Sequence, residues 1–241
     1  MKKLLLYLIL AGVLTASMLG LNACQWFEKS PVKPEVTVSQ SPGIPVDSTT
    51  GINKPRVKSN SMPPYAYVLV VPWMSQVPPG DWNYTMNCAQ VCCVMLGSWF
   101  NGGVTQPWVI RDENRWLGFP SNTWDNGPAS GIGAGTIQRL LLGYHNLRSS
   151  IYQGHGADDV IMEVINNRPV MVNVRTHMTT NGKEHWMICI GWDTRCMMFD
   201  DPGRSYVSSD WTAGHFKCTP EQFYASWNST SSPRIYIPVY R

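Results

Sequence analysis

Charge is the first thing this 241-residue sequence has little of: Asp, Glu, Lys and Arg make up 15% of it, and the formal net charge is only +3. A nucleic-acid surface needs clustered cations to face phosphates, and no such cluster is present, so nucleic-acid partners are excluded. Histidine is scarce as well. His145, His155, His177, His185 and His215 are the five available, which bounds the choice of a general base. No Cys-x-x-Cys pair or matching histidine spacing occurs, which removes the usual zinc frameworks, and no metal or organic cofactor is implied. Beyond the first two dozen residues no stretch is long and apolar enough to span a bilayer. There are no internal repeats, and nothing speaks to an oligomeric state.

What is present begins with Met1-Lys2-Lys3, a short positive head, followed by the apolar and small residues Leu4 to Gly20 and then Leu21-Asn22-Ala23-Cys24. A short apolar run that ends at small residues reads as a signal peptide over residues 1–23 rather than a spanning helix. Its last four residues resemble the bacterial lipobox, which implies lipidation of Cys24 and a protein anchored to a membrane by its acyl chains. Ordinary secretory cleavage with Cys24 unmodified is the plainer alternative. Gln25 follows the cysteine, where an Asp would favour the inner membrane. The resemblance therefore implies the outer membrane, facing the periplasm or the cell surface.

Residues 24–64 form the next expected unit. Seven prolines fall between Gln25 and Pro64, among many Ser, Thr and Lys. Such a stretch buries too little apolar surface to fold alone and is expected to be a disordered tether. As a flexible chain it would place the following domain roughly 35–40 Å from its anchor.

Residues 65–241 are expected to be one folded domain of ordinary size. Tyr67 to Val71 reads as a buried strand. Cys88 to Phe100 reads as a helix, with Asn87 as N-cap and Gly102-Gly103 past its end. Asn101 to Ser130, rich in Gly, Asn, Pro and Trp, reads as a long surface region. Two further helices are expected, over Thr136–Tyr144 and Ala157–Ile165. The pattern then turns to strands at Pro169–Val174, Glu184–Trp192 and Arg195–Phe199, the last two joined by a turn at Asp193-Thr194. Thr219 caps a short helix with Pro220 at its tolerated first position, and Ile235–Tyr240 closes the chain as a strand. Helices first and a mostly antiparallel sheet afterwards define an α+β arrangement.

Three segments could carry chemistry. Cys88 falls at a helix start, where open amides and the macrodipole favour the thiolate that a nucleophile requires; it could equally be a small core residue continuing the apolar stripe of Val91, Cys92 and Met95. His185 begins an otherwise apolar strand and could accept the thiol proton and later protonate a leaving amine, although a lone histidine there is often structural. At the end of the next strand, Asp200 or Asp201 could orient the imidazole, or could serve the Pro202-Gly203 turn. A one-residue change of register exchanges the two acids. Gln76, twelve residues before Cys88, could join the Cys88 backbone N–H in an oxyanion hole.

Cysteine at a helix start, histidine opening a strand and an acid closing the next strand follow the papain-like order. Val71-Pro72 through Gln76, Asn87-Cys88, Asn167-Arg168-Pro169-Val170, His185 through Asp193, and Asp201-Pro202 together resemble the stand-alone relatives of the bacteriocin-leader-processing peptidases. They also look like papain-like effector proteases. The resemblance implies a papain-like peptidase fold, hydrolysis of a peptide or protein substrate, Cys88 as nucleophile, His185 as base, Asp201 as orienting acid and Gln76 in the oxyanion hole. In one place the chain departs from the pattern: the family usually has Gly-Pro after its cysteine, and this sequence has Ala89-Gln90. Two other functions share the constellation. One is cleavage of peptidoglycan stem peptides, and the other is a papain-like fold used only for binding. The remaining cysteines, Cys92, Cys93, Cys189, Cys196 and Cys218, are expected to be mainly buried thiols.

Overall fold

The computed structural model describes residues 37–39, 66–76, 86–102, 107–119, 131–193, 195–203 and 214–241. Cys24 and most of the expected tether lie outside them. Strands are β1 Thr37–Ser39, β2 Tyr67–Leu69, β3 Arg148–Ser149, β4 Val170–Arg175, β5 Glu184–Trp192, β6 Met197–Asp200, β7 His215–Cys218 and β8 Tyr236–Tyr240. Helices are α1 Cys88–Asn101, α2 Pro107–Trp116, α3 Ala134–Gly143, α4 Ala157–Ile165 and α5 Pro220–Asn228. The sheet runs β1-β2-β5-β4-β8-β3, with β6 paired to β5 and β7 to β6. Every pairing is antiparallel except that of β1 with β2. The α+β arrangement expected from the sequence is what the chain adopts.

Strand β5 is the spine of this sheet. His185 through Trp192 are buried without a break, because β4 and β6 pair along it and α1 and α4 pack against it. A strand covered on both faces reads as a continuous apolar run rather than an alternation. Strand β4, with Val170, Met171, Val172 and Val174 buried, has the same character. Helix α1 is as deeply enclosed, with Cys88 through Trp99 all buried, and Gly102 ends it in the left-handed conformation at φ 70°, as the Gly-Gly pair foretold.

Helix α5 is closed by reciprocal bonds at its cap. Gln222 N–H donates to Thr219 Oγ1 at 3.3 Å, and Thr219 N–H donates to Gln222 Oε1 at 3.0 Å. Its inner face carries Phe223 and Trp227, stacked at 4.8 Å between ring centroids. The turn between β5 and β6 is held by Asp193, whose Oδ1 accepts from the N–H groups of Arg195 (2.9 Å) and Cys196 (2.7 Å).

The structure departs from the sequence reading in several places. Part of the surface region expected over Asn101–Ser130 is helix α2, with Ile110, Glu113 and Asn114 fully buried. Its inward positions recur at helical spacing (110, 113, 114, 117), but two of the four are polar, which hides the period. Strand β7 was not expected; it is four residues long with one buried side chain, and only its pairing with β6 makes it a strand. The two-residue β3 is likewise defined by its partner β8. Strand β1 falls inside the segment read as lacking regular structure, pairing in parallel with β2.

Candidate active site

Helix α1 begins at Cys88, so the thiol stands where the first amides of a helix have no partner within the helix. The side chain is 9% exposed. His185 is the second residue of β5, opposite Val174 of β4, and only 7% exposed. Its Nε2 lies 2.7 Å from Asp201 Oδ1, and the imidazole is also hydrogen-bonded to the Cys88 side chain. One ring thus joins the helical half of the domain to the sheet.

The electrostatics follow from these contacts. Burial by itself lowers a histidine pKa. Here the hydrogen bonds to Asp201 and Cys88 and the charges of both outweigh it, and His185 is pushed up to about 10. Burial works in the opposite sense on Cys88 and raises it. The bond to His185, the charge of that ring, and backbone hydrogen bonds at Trp186 and Ala89 more than compensate, leaving the thiol below its ordinary value. Both shifts favour a thiolate facing an imidazolium. The other thiols show the reverse. Cys92, Cys93, Cys189 and Cys218 are buried and free, and burial drives each of them up.

The two adjacent acids are separated by strand alternation. Asp200, the last residue of β6, faces His215 across the β6–β7 pair, with Oδ1 2.6 Å from His215 Nδ1. Burial raises this carboxyl more than His215 lowers it. Asp201 is the next residue and turns toward His185. Its loop is tightly built: Asp201 N–H donates to Gly214 O at 2.9 Å, and Gly203 N–H donates to Asp201 Oδ1 at 2.8 Å. A Cβ on Gly203 would lie 3.1 Å from Asp201 Oδ1 and 3.2 Å from His185 Nε2, so the loop packs closely on the imidazole.

Gln76 belongs to the segment between β2 and α1, and this segment is fastened to the acid loop. Gln76 N–H donates to Pro202 O at 2.7 Å, and Trp73 Nε1–H donates to Asp201 O at 2.9 Å. Met74 N–H points at Met95 Sδ of α1, 3.1 Å away. Cys88, His185 and Asp201 are therefore linked through hydrogen bonds, and the Gln76 backbone is tied to Pro202 beside Asp201. The sequence reading had no role for Trp73 or Gly203. The glycine was visible only as part of a Pro-Gly turn, and the tryptophan only as one of 11.

The other histidines do different things. His145 pairs with Glu113, His155 Nδ1 is 3.2 Å from Asp159 Oδ2, and His177 occupies a 3-10 turn at φ 59°. Among the described residues no group of acids, cysteines and histidines is placed to hold a metal ion.

Comparison with known proteins places the fold. A C39-like peptidase from Bacillus anthracis superposes with a TM-score of 0.51 at 17% identity, covering 71% of this chain and 95% of that one. The peptidase domain of Streptococcus ComA, a bifunctional ABC transporter involved in quorum sensing, gives 0.45 at 12% identity over 68% and 96%. A double-glycine-motif protease from an AMS/PCAT transporter, solved with a leader peptide, gives 0.41 at 12% over 70% and 94%. No family model and no curated protein sequence matches the chain. The chain has the papain-like fold of the C39-like peptidases.

Proposed function

We propose that this chain is a cysteine peptidase acting through Cys88, His185 and Asp201. The observation that carries the reading is the continuous bonding from Cys88 through His185 to Asp201, with Cys88 the one described free thiol held below its ordinary pKa.

In the reaction the Cys88 thiolate attacks the carbonyl carbon of a peptide bond. The carbonyl oxygen takes up the negative charge, which the Cys88 backbone N–H and the Gln76 side-chain amide stabilise. His185, protonated and aligned by Asp201, gives its proton to the departing amine as the C–N bond breaks. A water molecule then surrenders a proton to His185 and attacks the thioester, releasing the acid and restoring the thiolate–imidazolium pair. The Ala89 and Gln90 side chains, where the chain departs from the family pattern, contribute no reacting atom to these steps. The same proposal includes an acyl anchor at Cys24 in the cell envelope, supported by the Leu21–Cys24 motif. Palmitate incorporation that survives Cys24→Ala would sink that part.

The test of the catalytic reading is iodoacetamide labelling of each cysteine against pH, mapped by mass spectrometry, followed by digestion of a complex peptide mixture by wild type and Cys88→Ala. Cys88 should label well below the pH of a free thiol, about 8.5, lose that advantage in His185→Ala, and produce cleavages that Cys88→Ala does not. If Cys88 labels no more readily than the buried thiols, the fold is serving another purpose, and binding becomes the better reading.

A further inference from the structure

The position before the nucleophile holds an asparagine that does not behave as a helix cap. Asn at an N-cap ordinarily turns its side-chain oxygen onto the N–H of the second or third helical residue. Asn87 stands at that position of α1, with φ −96° and ψ 15°, and its side chain makes no capping bond. Its Oδ1 instead accepts from Asn114 Nδ2 of α2 at 3.1 Å. Asn114 is fixed in turn, because its Oδ1 accepts from Gln90 Nε2 at 2.8 Å. All three side chains are buried, Gln90 and Asn114 completely, so these bonds are made away from water. The second residue of the departing Ala89-Gln90 pair is thus one end of a relay running back to Asn87.

The consequence lies one turn away. The amide that an Asn87 cap would take, at Ala89 or Gln90, belongs to the same turn whose Ala89 backbone bonds the Cys88 sulfur. A cap and a thiolate would compete for the same few donors. We propose that Asn114, fixed by Gln90, is a positioning residue for the nucleophile: it draws the Asn87 side chain off the first turn of α1 and so leaves that turn's amides to the Cys88 sulfur. The inference rests on Cys88 being the reactive thiol and adds the element that keeps it so. Helix α2 then has a definite task. Glu113 beside Asn114 is engaged with His145 instead.

The experiment uses the full-length chain in detergent and reads the pH midpoint of Cys88 alkylation. Asn114→Leu keeps the volume and removes the donor to Asn87. The midpoint should rise by about one unit, a roughly tenfold slower labelling below it. Gln90→Met, which loosens Asn114 without deleting it, should give a smaller rise in the same direction, and stands in if Asn114→Leu does not fold by circular dichroism. The decisive arm is Asn87→Ala combined with Asn114→Leu. With no side chain left to cap the turn, the midpoint should return to within a few tenths of wild type, which a merely structural role for Asn114 would not produce. An unchanged midpoint in Asn114→Leu, or a double variant as impaired as the single one, overturns the inference. A wild-type midpoint no lower than that of a free thiol instead overturns the catalytic reading itself.

Discussion

At the residue scale, the site turns on which of two neighbouring acids meets the imidazole. Asp201 bonds His185 at 2.7 Å, and Asp200 is committed to His215. Asp201→Asn removes the charge that holds His185 up, and His185 in turn holds Cys88 down. The alkylation midpoint of Cys88 should therefore rise by about one unit or more, with hydrolysis falling at least tenfold near neutrality. Asp200→Asn should leave that midpoint near wild type, since its partner lies on β7. The sign of the stability effect follows from the same pair. A histidine raised to about 10 contributes its full stabilisation below its unfolded pKa of about 6.5 and loses it as pH rises through the folded value. The melting temperature of Asp201→Asn should lie furthest below wild type at pH 6 and approach it above pH 10. A midpoint that responds to Asp200→Asn and not to Asp201→Asn would exchange the two roles.

At the scale of elements, α2 is docked by polar groups on α1 and on His145, which follows α3. Glu113 is fully buried against His145, whose ring fills the space beside Gly97, where a Cβ would be 2.3 Å from Nδ1. Burial raises Glu113 and lowers His145 to about 4, and both shifts favour a neutral carboxylic acid donating to a neutral ring. Unfolded, the two groups titrate near 4.3 and 6.5. Between those values the folded and unfolded pair bind the same number of protons, and their contributions to the pH slope cancel. Above about 6.5 the unfolded pair holds one proton fewer, so stability falls as pH rises, by up to about 1.4 kcal/mol per unit. Glu113→Gln keeps a neutral donor to His145 without the titration. Relative to wild type, its melting temperature should gain steadily between pH 6.5 and 8.5. A constant difference across that range would mean that Glu113 is ionised in the fold.

The same element shows where sequence reading stops. Helices α1, α4 and α5 and strand β5 were legible because burial, caps and breakers all agree along them. Helix α2 was not, since Glu113 and Asn114 occupy core positions that pattern alone assigns to solvent, and only their partners on other elements make them tolerable. The placement of Cys88 at a helix start and of His185 at a strand start was legible from the pattern around them. The choice between Asp200 and Asp201 was not, because it depends on the register of β6 against β7, a strand that exists only through that pairing. Asn87 was correctly placed at the head of α1, but its side chain answers to Asn114, 27 residues away.

At the scale of the whole molecule, the site belongs to no single element. Cys88 comes from the helical half, His185 from the sheet and Asp201 from the loop after β6, and the Trp73–Gln76 segment is tied to that loop through Asp201 O and Pro202 O. The halves are held together by one core that runs from α1 under β5 and β4 to the Phe199–Phe223–Trp227 stack. Nothing in the thiol's local sequence sets its pKa, because His185 is 97 residues distant and the amides at Trp186 and Ala89 are arranged only by the fold. In urea, the low-pH labelling of Cys88 should therefore disappear in the same transition that changes tryptophan fluorescence, as an all-or-none domain requires. Beyond that transition Cys88 should label like any free thiol, with a midpoint near 8.5. Loss of the advantage at lower urea, while fluorescence is still native, would mean that the helical half can part from the sheet before the core opens. The Trp73–Gln76 staples would then be the weakest join in the molecule. Coincidence would show that the core holds Cys88 and His185 together.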